Sequence, residues 1–203
     1  MKDTQRKRIY EAVLEEHLQD NRQMAFLSGP RQCGKTTLVK TLADSFRSEL
    51  IRFYYGDDLI GSEIGAAAKN VMGIAAGMLD GGGMSTLKGP LMARGAREVA
   101  RLIKAMGGNE LSAYGLCHLG DYETTLFSEY SNNRAFGEKF VTHQPFIKLA
   151  EGAATAKAMK FLGEKYGVDL PITNAVYSIL YENKDPMSEF KKVFSRSTRK
   201  EFR

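Results

Sequence analysis

A run of alanine, glycine and aliphatic residues over 64–79, broken once by Lys69-Asn70, constrains this chain more than any other stretch. Its pattern predicts a helix that ends at Asp80, Gly81, Gly82 and Gly83. An ammonium among alanines and glycines reaches water with difficulty, and a charge buried without a partner is expensive. The small side chains also leave room for another group to come close to the backbone. Desolvation moves a lysine toward the range in which it can accept a proton. Lys69 is therefore a candidate acid/base. The competing reading is a stem lying on apolar surface with its head reaching out to water.

Beyond Asp58 the pattern is helical almost throughout. Leu91, Val99, Leu102, Ile103 and Met106 predict a long helix over 87–106. Shorter helices are predicted over 110–114, 121–127 and 133–140, and a full one over 151–166. Pro171 and Pro186 each stand at the first turn of a late helix, 172–181 and 187–194. The start of the chain reads differently. Ile9, Val13, Leu14 and Leu18 predict a helix over 6–19, followed by a short strand over 24–27, a glycine turn, a helix over 35–46 and a strand candidate over 51–55. The fold class expected is mainly α: an all-α domain over 51–203, preceded by a small helix-strand-loop-helix fragment over 1–50.

The 203 residues carry a net charge of +5, which suits an anionic ligand. Basic residues are spread along the chain, however, and its Lys/Arg-rich ends read as solvated termini, so there is no strong nucleic-acid signal. Cys33 and Cys117 lack metal-ligand spacing and make no disulfide framework, which points to a reducing compartment. No apolar segment of the signal-peptide kind follows the first residues, and the longest apolar run is short for a membrane span and interrupted by Lys-Asn. A cytoplasmic protein that does not enter a membrane is expected.

Residues 29–36, GPRQCGKT, fit the pattern GxxxxGK[ST] and lie between the strand and helix that this pattern requires. Backbone amides around Gly29 and Gly34 would cradle phosphates, with Thr37 beside them; Lys35 would reach the β/γ-phosphates and Thr36 would ligate magnesium. ATP with magnesium is the ligand implied. Residues 8–46 resemble the opening segment of prokaryotic AAA-type ATPases, and Asp57 or Asp58 could serve as the magnesium carboxylate. A sheet of that kind needs further parallel strands, which the helical remainder does not offer. Nucleotide binding is expected here, and hydrolysis by this chain alone is not.

From about residue 52 onward the chain resembles the C-terminal, substrate-binding domain of NAD(P)-dependent glycerol-3-phosphate dehydrogenase. The resemblance is carried by DDLIGSEIGAAAKN over 57–70, GLCHLGD over 115–121, YSNNRAFG over 130–137, AEG over 150–152 and PITNAVYSILYE over 171–182. It implies that Lys69 is the catalytic lysine, taking the hydroxyl proton on oxidation and returning it to the carbonyl on reduction. It also implies that Asp121 holds the substrate hydroxyls or pairs with Lys69, and that Ser131, Asn132, Asn133 and Arg134 open a helix onto the substrate phosphate. Asn132 and Glu151 fall where the family contacts NAD or NADP. Asn132 departs from the family's Ser-Arg-Asn-Arg pattern and removes a bidentate cation.

No GxGxxG follows a strand anywhere in the chain, so the resemblance implies a dehydrogenase without its dinucleotide domain, fused to an ATPase-like piece. The expected activity is hydride transfer between NAD(P)H and dihydroxyacetone phosphate or glycerol 3-phosphate, incomplete in this chain. Two other classes compete with it: a P-loop ATP-binding protein, and a helical module that serves only homodimerisation. Asp121 as a helix cap and Asn132-Asn133 as a plain turn are the structural alternatives. His118 and His143 have no ligand partners at useful spacing and read as structural.

Overall fold

Helix α1, Leu59–Gly81, is the longest element among the residues that the computed structural model describes, 56–195. The expected helices over 6–19 and 35–46, the strands over 24–27 and 51–55, and the phosphate-loop residues Gly29, Gly34, Lys35, Thr36 and Thr37 lie outside those residues. The chain divides into two compact units at Asp57/Asp58, and the second is described here.

Asp58 starts α1. Its carboxylate accepts the Gly61 N–H at 3.0 Å, the Asn109 N–H at 3.0 Å and the Ser112 hydroxyl at 2.6 Å. Burial pushes this carboxyl up, but the three donors hold it below the usual carboxylate range. The carboxylate considered above for magnesium is thus a helix cap that also ties down the loop at 109–112.

Past α1 the chain makes a 3₁₀ turn, Ser85–Leu87, then α2, Lys88–Ala105. A second 3₁₀ turn, Glu110–Tyr114, leads into a π-helical turn, Leu116–Gly120, which runs directly into α3, Asp121–Phe127. The remaining helices are α4, Asn132–Val141, α5, Glu151–Tyr166, α6, Pro171–Tyr181, and α7, Pro186–Phe194. Every regular element among the described residues is helical, as the periodicity predicts. None of these helices is long and apolar enough to cross a membrane.

α1 is the central helix: α2, α3, α4, α5, α6 and the π turn all pack on it. Val71, Met72, Ile74, Met78 and Leu79 are fully buried there, beside Leu91, Val99, Leu102 and Ile103 of α2. Glycines at 61, 65, 73, 77 and 81 form a row along α1 at a spacing of four that winds slowly around the helix, and Lys69 fills the missing place in that row. A Cβ at Gly77 would stand 1.8 Å from the Arg134 carbonyl oxygen, and one at Gly137 of α4 would stand 2.1 Å from that of Ile74. The two helices therefore meet backbone to backbone. What comes close to the small residues of α1 is α4 on one side of Lys69 and the π turn on the other.

The start of α6 has no local side-chain cap. Glu98, buried on α2, supplies it from a distance, accepting Ile172 N–H at 2.8 Å, Thr173 N–H at 2.9 Å and the Thr173 hydroxyl at 2.6 Å. Burial pushes the Glu98 carboxyl above the usual range, against the pull of these donors.

Candidate functional site

Lys69 emerges between Gly65 and Gly73, where the π turn and α4 diverge. Its ammonium forms an ion pair with Asp121, the first residue of α3. The two side chains are 19% and 32% exposed, so the pair is neither sealed in the core nor on the open surface. The π turn delivers Asp121 to this place: its wide i to i+5 turn, closed by Gly120 N–H to the Gly115 carbonyl at 3.2 Å, runs into α3 at the level of Lys69.

A cleft of about 420 Å³ opens beside the pair, lined by Lys69, Asn70, Thr124, Thr125, Ser128, Tyr130, Ser131, Asn132, Asn133, Leu149 and Glu151. Two helices begin at its wall, α4 at Asn132 and α5 at Glu151. The first amides of a helix have no intrahelical acceptor, and both helix starts carry partial positive charge. Ser131 caps α4, its hydroxyl accepting Arg134 N–H at 3.2 Å. The arrangement puts the Lys69–Asp121 pair next to two helix starts, the kind of place where backbone amides can hold an anion.

Asn133 joins three elements. Its amide donates to Asn70 Oδ1 on α1 at 3.0 Å, and its carbonyl oxygen accepts Gly152 N–H at the start of α5 at 2.9 Å. A Cβ on Gly152 would lie 2.5 Å from the Asn70 carbonyl oxygen, so α5 also rests directly on the α1 backbone.

Of the residues singled out in the sequence, Lys69, Ser131, Asn132, Asn133 and Glu151 line the cleft, and Asp121 joins them through Lys69. Arg134 is not part of the lining. Its Nε donates to Asp80 at 2.7 Å and its Nη2 lies 3.5 Å from Glu138. Asp80 also takes Ser85 at 2.7 Å and Lys88 at 3.0 Å; burial pushes its carboxyl up, but these donors and Arg134 hold it below the usual range. Sequence reasoning did not single out Asn70, Thr124, Thr125, Ser128, Tyr130 or Leu149 as site residues. Thr124 and Thr125, three and four residues after Asp121, were within reach of a helix-face argument. Leu149 was not, because only the tertiary fold brings 149 beside 69.

Residues 58–191 match the family described as the C-terminus of NAD-dependent glycerol-3-phosphate dehydrogenase. A glycerol-3-phosphate dehydrogenase [NAD(P)+] from Clostridium botulinum (strain Alaska E43 / Type E3) is 35% identical over 212 residues, covering 93% of this chain and 64% of that protein. The enzyme of the same name from Solidesulfovibrio magneticus is 36% identical over 177 residues, covering 83% and 54%. The crystal structure of glycerol-3-phosphate dehydrogenase from Coxiella burnetii superposes with a TM-score of 0.71 at 29% identity, covering 79% of this chain and 52% of that one. The chain thus spans between about half and two thirds of the length of the relatives it matches.

Proposed function

The chain belongs to the NAD-dependent glycerol-3-phosphate dehydrogenase family, whose C-terminal part it matches, and on that premise we propose that the cleft beside Lys69 binds glycerol 3-phosphate and dihydroxyacetone phosphate. The observation that carries this reading is the meeting of the Lys69–Asp121 pair with the starts of α4 and α5 in one cleft. A phosphate wants the helix starts and a reacting oxygen wants the amine. The substrate has both groups.

In this reading Lys69 is the acid/base. As the ammonium it gives its proton to the carbonyl oxygen of dihydroxyacetone phosphate; as the amine it takes the hydroxyl proton of glycerol 3-phosphate. Asp121 holds the charged form in place between turnovers and orients the substrate hydroxyls. Ser131, Asn132 and Asn133 present the start of α4 to the phosphate, and Arg134, held by Asp80 and Glu138 behind them, adds its positive charge to that end of the cleft without lining it. Asn132 and Glu151, which line the same cleft as Lys69, would be the residues that contact a dinucleotide. NAD or NADP, when bound, supplies the hydride or receives it. The domain boundary near 50/51, a cytoplasmic setting and a homodimer through the helical domain belong to the same proposal.

Isothermal titration of the chain with dihydroxyacetone phosphate tests it. Saturable binding that is lost in Lys69→Ala supports the reading, and no binding to the unaltered chain sinks it. Where turnover is assayed with the chain, Lys69→Ala is expected to lower it by about 10²–10⁴-fold.

A second reading concerns the separate motif at Gly29, Gly34, Lys35, Thr36 and Thr37, which supports ATP and magnesium binding by its pattern alone. Titration with fluorescent ATP, with and without magnesium and with Lys35→Ala as control, decides it independently of the cleft.

A further inference from the structure

His118 lies in the π turn, fully buried. Its Nδ1 is 2.9 Å from the Gly65 carbonyl oxygen. A carbonyl only accepts, so Nδ1 carries the proton, and in the neutral ring Nε2 keeps its lone pair. Among the described residues, Nε2 is the buried side-chain nitrogen or oxygen without a hydrogen-bond partner. A second proton there would be a buried, unpartnered charge.

The ring is held on its other side as well. It stacks on Tyr122 with centroids 5.0 Å apart and planes at 16°, and the buried Tyr122 hydroxyl donates to the Leu91 carbonyl at 3.0 Å. Gly65 makes the approach feasible: a Cβ there would stand 3.0 Å from the His118 Cβ. In an α-helix the Gly65 carbonyl is also the acceptor for the Lys69 backbone N–H. His118 therefore grips α1 one turn before Lys69, from a turn that ends at Asp121.

We infer that His118 is a positioning residue: its neutral imidazole pins the π turn to the Gly65 carbonyl and thereby holds the Asp121 carboxylate against the Lys69 ammonium. The inference rests on the reading of Lys69 and Asp121 given above. The charged groups that act on His118 are Asp121 of α3, which favours its protonation, and Lys69 of α1, which opposes it; burial, with Lys69, outweighs Asp121 and the Gly65 hydrogen bond and keeps the ring neutral. Tyr122 and Cys117 beside it are both pushed up by burial, and Glu98 of α2 acts on Tyr122. Forcing a proton onto His118 puts a second cation near Asp121 in competition with Lys69. The pair loosens as the pH falls.

The test follows the Lys69 Cε resonance and the His118 ring proton by NMR in the intact chain from acid to alkaline pH, with His118→Asn and His118→Phe. Asn keeps an N–H near the Nδ1 position but does not titrate. Phe keeps the ring and loses the donor. In the unaltered chain the Lys69 signal is expected to show an acid step that coincides with the titration of the His118 ring. In His118→Asn that step disappears and the neutral-pH position of the Lys69 signal stays in place. In His118→Phe the neutral-pH position of the Lys69 signal moves.

An unaltered chain in which Lys69 does not respond to His118 overturns the inference, as does a step at the pH of the His118 titration that survives in His118→Asn, or an unchanged neutral-pH Lys69 position in His118→Phe. If His118→Phe does not fold, the acid step and its fate in His118→Asn decide alone. Titration of the same samples with dihydroxyacetone phosphate keeps the two readings apart. Binding without an acid step defeats the inference alone, and an acid step without binding defeats the assignment of the cleft.

Discussion

Lys69 and Asp121 are each partly open to solvent, which limits what their attraction contributes and what its loss costs. Asp121→Asn is expected to lower stability by about 1–2 kcal/mol, below the range for a fully buried pair. A urea midpoint unchanged by the substitution would show that the pair contributes nothing to folding. His118 acts on stability with a definite sign. Its folded-state pKa lies below the 6.5 of an ordinary imidazole, so the contribution is present above that value and is lost as the pH falls through the lowered one. Urea denaturation at a series of pH values should show a decline on the acid side of 6.5 that His118→Asn reduces. At this scale the sequence was informative about charge and silent about contact. An ammonium among alanines and glycines announced Lys69, and a resemblance supplied Asp121. Nothing in the spacing showed that His118, read as structural, would grip the turn before Lys69, because the π turn that aims it is a tertiary outcome.

Among the elements, α1 and α4 depend on one another through missing side chains. Gly77→Ala puts a methyl against the backbone of Arg134, which cannot yield as a flexible side chain would. The expected cost is about 1–3 kcal/mol. Because α4 carries Ser131, Asn132 and Asn133 to the cleft, dihydroxyacetone phosphate should bind more weakly to the folded fraction as well. Unchanged affinity would mean that α4 does not serve the site. The α2–α6 link makes a different kind of prediction. Glu98→Gln turns an NH₂ toward donors that are already fixed, at a cost of about 1–3 kcal/mol by urea denaturation. Helix boundaries were read well from proline starts and glycine stops: Pro171, Pro186 and Gly167 stand where the helices begin and end. The π turn was missed because no residue type marks a wide turn, and Glu98 was missed because a cap 74 residues away leaves no local trace.

For the whole second unit, a ligand that binds the folded chain alone raises its stability in proportion to the logarithm of its concentration. Glycerol 3-phosphate at about one hundred times its dissociation constant should add about 2.7 kcal/mol. In a domain of this size that is a rise in Tm of about 5–10 °C. Lys69→Ala should abolish the rise, and an equal rise from inorganic sulfate would assign it to the helix starts alone. The all-α architecture was legible from residue 58 onward because the helical period returns in each long segment between short glycine and proline breaks. The central place of α1 was only half legible, since its composition shows that it must be approached closely but not by what.

The seam along α1 has one more property. Glycines repeating every fourth residue look the same after the helix advances by four residues, about 6 Å with a further twist of about 40°. Such a seam cannot choose its own register, and by itself it would accept several. Lys69 is the one irregular tooth in that rack, and only one alignment sets it opposite Asp121. The residue assigned to proton transfer is therefore also the index mark by which the central helix finds its place.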